Sequence, residues 1–430
     1  MKIKTTSFAV LSGIALVFLS CESAQVSKQS EWRSLTDIPV AYSRYDDVFF
    51  FNKDLGWAAN GAEGKVFKTT DGGMNWIQQF ELNTVYFRNI EFLNHNIGFL
   101  GTLSSDFYKT TDGGYTWQKV NNIPGPIDAI CGLDAFGENV VYGCGSFFSP
   151  AYIIKSKDKG NTWQYIDMSY YAESLVEVLF LNENIGFASG GSDTGGVVLK
   201  TTNGGASWTV IYNSGIAGER VWKLQILNSN SNIMFGSVES IAPLTGKLIK
   251  STDGGNSWIS REVPDTHIQA VGFLTENHGW MGGHKTGFLE TFDAGATWTD
   301  TKFGGNLNRI QILNDNMAYC SGASIYKFSE SDVNTDNRVA SNANRKDLEV
   351  SIDDRIADNK LDFSVNFDGP NHIILRLFDS NGILITTLKR EKITEAGIKN
   401  YSFPFPYEAG VYYLNLHDDT GGQSEMIIKN

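Results

Sequence analysis

The sequence predicts an all-β protein: a seven-bladed β-propeller closed by an N-terminal strand, followed by a small C-terminal β-sandwich. Three observations predict it. The pattern S/T-x-D/N-x-G-x-S/T/N-W occurs six times, ending at Trp76, Trp117, Trp163, Trp208, Trp258 and Trp298. The copies recur about every 45 residues, the length of a four-stranded blade. Near the start of the chain, Glu31-Trp32-Arg33-Ser34-Leu35 matches the strands that follow each copy, such as Thr162-Trp163-Gln164-Tyr165-Ile166.

Each copy reads as a turn between two antiparallel strands. Asp71, Asp112, Asp158, Asn203, Asp253 and Asp293 are placed to accept hydrogen bonds from backbone N–H groups just downstream. Gly73 and its counterparts fill one slot in every copy, which implies a backbone with positive φ. The indole covers the end of the hairpin. Metal ligation or acid–base chemistry is the competing use of these carboxylates. Asn203 argues for the structural role, because an amide replaces the carboxylate without disturbing the pattern.

The eight-residue pattern resembles the Asp-box, the bacterial neuraminidase repeat. The longer unit runs from Phe180-Leu181-Asn182-Glu183-Asn184-Ile185-Gly186-Phe187 to Leu199-Lys200-Thr201-Thr202-Asn203-Gly204-Gly205. It resembles the propeller repeat of photosystem II stability/assembly factors. That resemblance implies a β-propeller over residues 31–329 and a scaffold or assembly role, without implying photosynthesis.

Blade by blade, an opening strand such as Val48-Phe49-Phe50, Ile90-Glu91-Phe92, Val178-Leu179-Phe180 or Val271-Gly272-Phe273 precedes a second strand at Gly56-Trp57, Gly98-Phe99, Gly186-Phe187 or Gly279-Trp280. The third and fourth strands flank the box. A seventh blade starts at Ile310-Gln311-Ile312-Leu313 and reaches Ile325-Tyr326-Lys327-Phe328, where the box fails. The segment around Trp32 supplies its missing fourth strand and removes a bare sheet edge. Six blades with a stray hairpin is the alternative.

Residues 1–21 read as a signal peptide: Lys2 and Lys4 precede an apolar run too short to span a bilayer. Its end, Phe18-Leu19-Ser20-Cys21, resembles a lipobox, which implies lipidation of Cys21, with residues 22–30 as a tether. Secretory cleavage beside a chance Cys is the alternative. Residues 330–345 are polar and read as a linker. Residues 346–430 carry strand-like runs at 360–365, 373–378 and 411–416, the spacing of a small sandwich. This region resembles a type IX secretion sorting domain through Leu377-Phe378-Asp379-Ser380-Asn381-Gly382, Ala409-Gly410-Val411-Tyr412-Tyr413-Leu414 and Met426-Ile427-Ile428-Lys429-Asn430. The Asn-Pro usual near the start of such domains is absent. Together these features imply the outer membrane or cell surface of a Gram-negative bacterium, with secretion as the alternative.

The formal charge of −13 argues against nucleic acid as a partner. Beyond Cys21 there are three cysteines, too few for a disulfide scaffold. Cys131 and Cys144 fall on the first two strands of the third blade, either bridged or as buried thiols. No nucleophile elbow, phosphate loop or metal motif occurs, so no cofactor is implied.

In a propeller the binding face is the one opposite the box turns, around the channel mouth. Residues entering it here include Tyr45, Asp46, Arg88, Asp128, Glu177, Arg220, Trp222, Lys223, His267 and Arg309. A loop with Phe147, Phe148 and Tyr152 is expected beside one with Tyr170 and Tyr171, as a platform for a protein or a sugar. The Arg-Ile-Pro motif of Asp-box sialidases has no counterpart in Tyr42-Ser43-Arg44-Tyr45-Asp46-Asp47. A glycosidase needs only two carboxylates about 5–10 Å apart, and Asp46, Asp128 and Glu177 are candidates. The sequence favours a non-catalytic propeller that binds a protein or a glycan, anchored to a membrane by lipid; a surface glycan-binding protein or glycoside hydrolase is the alternative.

Overall fold

The computed structural model describes residues 29–145, 150–331, 349–352, 360–367, 371–379, 384–418 and 421–429. Seven four-stranded antiparallel sheets form the propeller. Innermost strands, in blade order, are Tyr45–Phe50, Phe87–Phe92, Gly132–Phe136, Ser174–Phe180, Arg220–Leu227, Ile268–Phe273 and Arg309–Asn314. Burial grades outward in blades 1 and 2. Every residue of Phe87–Phe92 and Gly98–Thr102 is buried, whereas Ile77–Glu81, a fourth strand, is exposed or half-buried. Inner strands are packed on both faces, so even charged side chains on them, such as Arg88 and Glu91, are buried.

The seventh blade is split. Gln29–Ser34 pairs antiparallel with Ile325–Ser331, placing Trp32 opposite Phe328 and Ser34 opposite Tyr326. Leu35 N–H continues the ladder to the Ile325 carbonyl at 2.9 Å. The pairing extends past the expected limits of 31 and 329, because Gln29 and Ser331 still form a pair. Trp32 stacks on Phe288 of blade 6 with centroids 4.2 Å apart and packs edge-on to Trp280 at 5.4 Å. Closure therefore buries aromatic surface as well as satisfying a strand edge.

The box turns are built by hydrogen bonds. Asp71 Oδ1 accepts from Thr69 Oγ1 at 2.8 Å and Asn75 N at 2.9 Å, while Trp76 Nε1 donates to the Gly73 carbonyl. Asp112, Asp158, Asp253 and Asp293 each accept from the Ser or Thr two residues before and from the backbone and hydroxyl four residues after. In the fourth blade Asn203 Oδ1 accepts from Ser207 N, and Asn203 Nδ2 donates to Ser207 Oγ. These bonds hold Asp158, Asp253 and Asp293 at about 2, well below the usual carboxylate range. Gly73 and Gly114 have φ of +89° and +97°, where a Cβ would strain the backbone.

In three blades a lysine of the third strand ties neighbouring blades together. Lys155 Nζ donates to the Gly204 carbonyl at 2.5 Å, Lys200 to Gly254 at 2.7 Å, and Lys327 to Gly72 at 3.1 Å. Each ammonium lies over an aromatic ring of its own blade: Tyr142, Phe187 and Tyr319, at 5.0–5.6 Å.

The C-terminal strands form a three-stranded and a four-stranded sheet. Leu361, Phe363 and Val365 of one share a core with Ile373, Leu375, Leu377, Leu414 and Leu416 of the other. That is a small sandwich, with alternate residues of Lys360–Phe367 facing in. Cys131, Cys144 and Cys320 are buried free thiols. Cys131 lies one residue before the first strand of its blade rather than on it, its N–H bonded to the Cys144 carbonyl. Cys21 and most of the 330–345 stretch lie outside the described residues.

Candidate binding mouth of the propeller

Five innermost strands open with the same irregularity. The pairing register skips Asp46, Arg88, Val176, Trp222 and Gln269, each two residues before an apolar strand residue: Val48, Ile90, Val178, Leu224 and Val271 respectively. A bulge re-aims the extra residue. Here Asp46, Arg88, Trp222 and Gln269 line one cavity of about 610 Å³ at the channel mouth.

Asp46 is fully buried between two arginines. Arg88 Nη1 lies 2.8 Å and Arg44 Nη2 2.9 Å from its Oδ1. Two cations on one buried carboxylate fix all three side chains, since truncating any of them would strand a buried charge. Arg44 reaches on to blade 6, donating to Gln269 Oε1 at 2.9 Å. Gln269 Nε2 then meets His284 Nε2 at 2.8 Å, and His284 Nδ1 lies 3.1 Å from Asn306 Oδ1. This chain fits a neutral imidazole with its proton on Nδ1. Partial burial and the Arg44 charge push His284 below its ordinary 6.5.

Trp222 occupies the floor, packed with Ala129, Cys131 and Val176 from blades 3 and 4. The Arg88 guanidinium lies 5.4 Å from its ring centroid. Its indole N–H donates to Glu239, whose other oxygen is 3.2 Å from His267 Nδ1. The rim is apolar in part: Leu103 and Ile241 line the cavity and are exposed. A rigid polar floor beneath exposed apolar rims suits binding that needs both orientation and area.

Of the sequence-predicted residues, Asp46, Arg88, Asp128, Arg220, Trp222 and His267 come together in this cavity. Glu177, Lys223 and Arg309 do not line it. Glu177 follows the Val176 bulge and pairs with Lys223 at 2.5 Å, while Arg309 lies 3.6 Å from Glu177 and 3.5 Å from Asp47. Tyr45 is also a correction: it is fully buried, its hydroxyl donating to the Pro39 carbonyl. Tyr170 is 90% exposed and stands edge-on to Tyr171, which packs on the core between blades 3 and 4; neither lines the cavity. Phe147 and Phe148 lie outside the described residues.

Sequence reasoning missed Arg44, Glu239, Gln269 and His284. The position two residues before each opening triplet would have found Gln269. Glu239 and His284 sit on second-strand ends that carry no repeat signature. Among the described residues, no group of three or more His, Cys, Asp or Glu is disposed to hold a metal.

No family model and no curated protein matches the chain. Solved structures do match its fold. YCF48 bound to a D1 peptide aligns with a TM-score of 0.54 at 18% identity, over 70% of this chain and 97% of that one. The extracellular domain of BT4673 from B. thetaiotaomicron aligns at 0.54 and 12% identity, over 93% of this chain and 57% of that one. PorZ, a surface component of the type-IX secretion system of Porphyromonas gingivalis, aligns at 0.51 and 13% identity, over 91% and 60%. The chain thus spans under two thirds of the last two. At these identities the likeness is one of fold, a seven-bladed propeller.

Proposed function

We propose that this chain is a cell-envelope lipoprotein whose propeller is a non-catalytic scaffold that binds a protein segment at the channel mouth. The observation that carries this reading is the cavity of about 610 Å³ floored by side chains that bulges aim inward. Two of its three carboxylates are engaged, Asp46 by two arginines and Glu239 by Trp222 and His267, while Asp128 is exposed. Groups held this way orient a ligand's polar atoms without needing to move. Leu103 and Ile241 on the rim supply apolar area for side chains of a bound segment.

The fold neighbours support a binding role and an envelope setting: one was solved with a peptide, and another is named as a bacterial surface component. The lipobox-like end at Cys21 and the sorting-domain-like C-terminal region support the same setting, with the sandwich retained as a structural module.

The test is a photo-crosslinking amino acid placed at Ile241 in cells that make the lipidated protein. A discrete protein adduct that disappears when Leu103→Asp is added is the expected result. Adducts with polysaccharide, or retention of purified glycans on an array, would replace this reading with a glycan-binding one. Release of reducing sugar, lost in Asp128→Asn, would replace it with a hydrolase.

A further inference from the structure

The path of the chain through blade 7 sets which face of the wheel carries the anchor. The third strand of that blade, Ile325–Ser331, begins beside the mouth: Gly322, just ahead of it, accepts from Tyr45 N, and Ser321, Asn308 and Asn306 border the same opening. It therefore ends at the opposite face, where the box turns lie. Gln29 pairs with Ser331, so the chain enters the propeller from the box-turn face. Only about eight residues separate Cys21 from Gln29, and fully extended they reach roughly 26–29 Å.

That length decides the geometry. Climbing the closing strand, from Gln29 to Ser34, takes about 17–20 Å at a strand's rise. The remainder, under about 10 Å, would have to clear the mouth loops and their side chains. An anchor at Cys21 thus cannot lay the mouth on a bilayer. The box-turn face beside blade 7 also has the surface for that contact. Phe292 in blade 6 is 66% exposed and Phe51 in blade 1 is 43% exposed, one on each side of blade 7. Exposed aromatic rings suit the bilayer interface.

We propose that the box-turn face is the side this protein turns to its own membrane, with the channel mouth directed away to meet its partner. The proposal rests on the lipoprotein reading of Cys21.

The test uses full-length lipidated protein in phosphatidylethanolamine–phosphatidylglycerol vesicles carrying an acceptor-labelled lipid. The native thiols Cys131, Cys144 and Cys320 are buried. A donor dye is therefore attached in separate variants at Phe292→Cys or Leu181→Cys, the latter just past the box-face end of the innermost strand Ser174–Phe180, or at Tyr42→Cys, just ahead of the mouth end of Tyr45–Phe50. Energy transfer severalfold higher from positions 292 and 181 than from position 42 is the expected result. Transfer as strong from 42 would overturn the orientation. Strong transfer from 292 alone would also overturn it, since the wheel would then stand on edge. The mass of the mature N-terminus separates the two claims: an unmodified Cys21 overturns the lipoprotein reading and this proposal with it, whereas a modified Cys21 with the wrong transfer pattern overturns the orientation only.

Discussion

Lys327 of blade 7 donates to the carbonyl of Gly72 in blade 1, so the seam where the two ends of the wheel meet carries the same contact as uninterrupted blade junctions. Tyr319 Oη donates to the same carbonyl at 3.2 Å, and its ring lies under the ammonium. Closure is thus secured twice, by the Trp32 strand and by this lysine.

Lys327 gives the seam a pH dependence. Burial lowers it to about 8, against roughly 10.4 in an unfolded chain. Between those values the unfolded chain binds a proton that the folded one does not, so this group's contribution to stability grows as pH rises from 8 to 10 and is lost on the way down. Denaturant melts of the wild type and Lys327→Met at pH 7.5 and 9.5 should show the difference shifting toward the wild type at the higher pH. A constant difference would mean that the ammonium is not desolvated there.

Asp134 should act with the opposite sign. Burial raises its carboxyl to about 7, while it accepts the Phe180 N–H at 2.7 Å. A carboxyl raised above its unfolded value of roughly 3.9 contributes stability that is complete below pH 4 and lost as pH climbs through 7. Asp134→Asn keeps an acceptor for Phe180 and removes the titration. It should melt with the wild type at pH 4.5 and above it at pH 8, by about 2–4 °C for each kcal/mol recovered. Differential scanning calorimetry at the two pH values checks this.

The box aspartates should behave as turn locks. Asp112 accepts from Thr110 Oγ1, Thr116 N and Thr116 Oγ1. Asp112→Ala should therefore cost about 1–3 kcal/mol by leaving those donors to water or to nothing. Asp112→Asn should be nearly neutral, because Asn203 already serves in the fourth blade. Urea melts with and without chelator decide the matter: a chelator-sensitive wild type would favour a bound cation.

The architecture was legible in the sequence because each blade repeats one local solution. A Gly that needs positive φ, an Asp that caps a turn and a Trp that covers it leave marks at fixed spacing, and even the orphan strand around Trp32 matches its siblings. The mouth was legible only in part. Arg88, Trp222 and His267 could be placed by counting from the opening triplets. Glu177 was misplaced by one residue's worth of register, because the Val176 bulge turns the chain before it. Glu239 and His284 were invisible, since one ends a second strand and the other follows one, at positions that carry no repeated local signal.

Fold and binding at the mouth should come apart under mutation. Trp222 is buried against Ala129, Cys131 and Val176 and holds Glu239, so Trp222→Ala should cost about 3–5 kcal/mol. Trp222→Phe should cost less, since it fills most of the floor and loses only the indole N–H. Ile241→Asp and Leu103→Asp lie on the exposed rim and should change stability by no more than about 0.5 kcal/mol. Those same two substitutions should weaken a captured protein partner tenfold or more, read by calorimetric titration. Rim variants that bind as tightly as the wild type would show that the partner does not use the apolar edge.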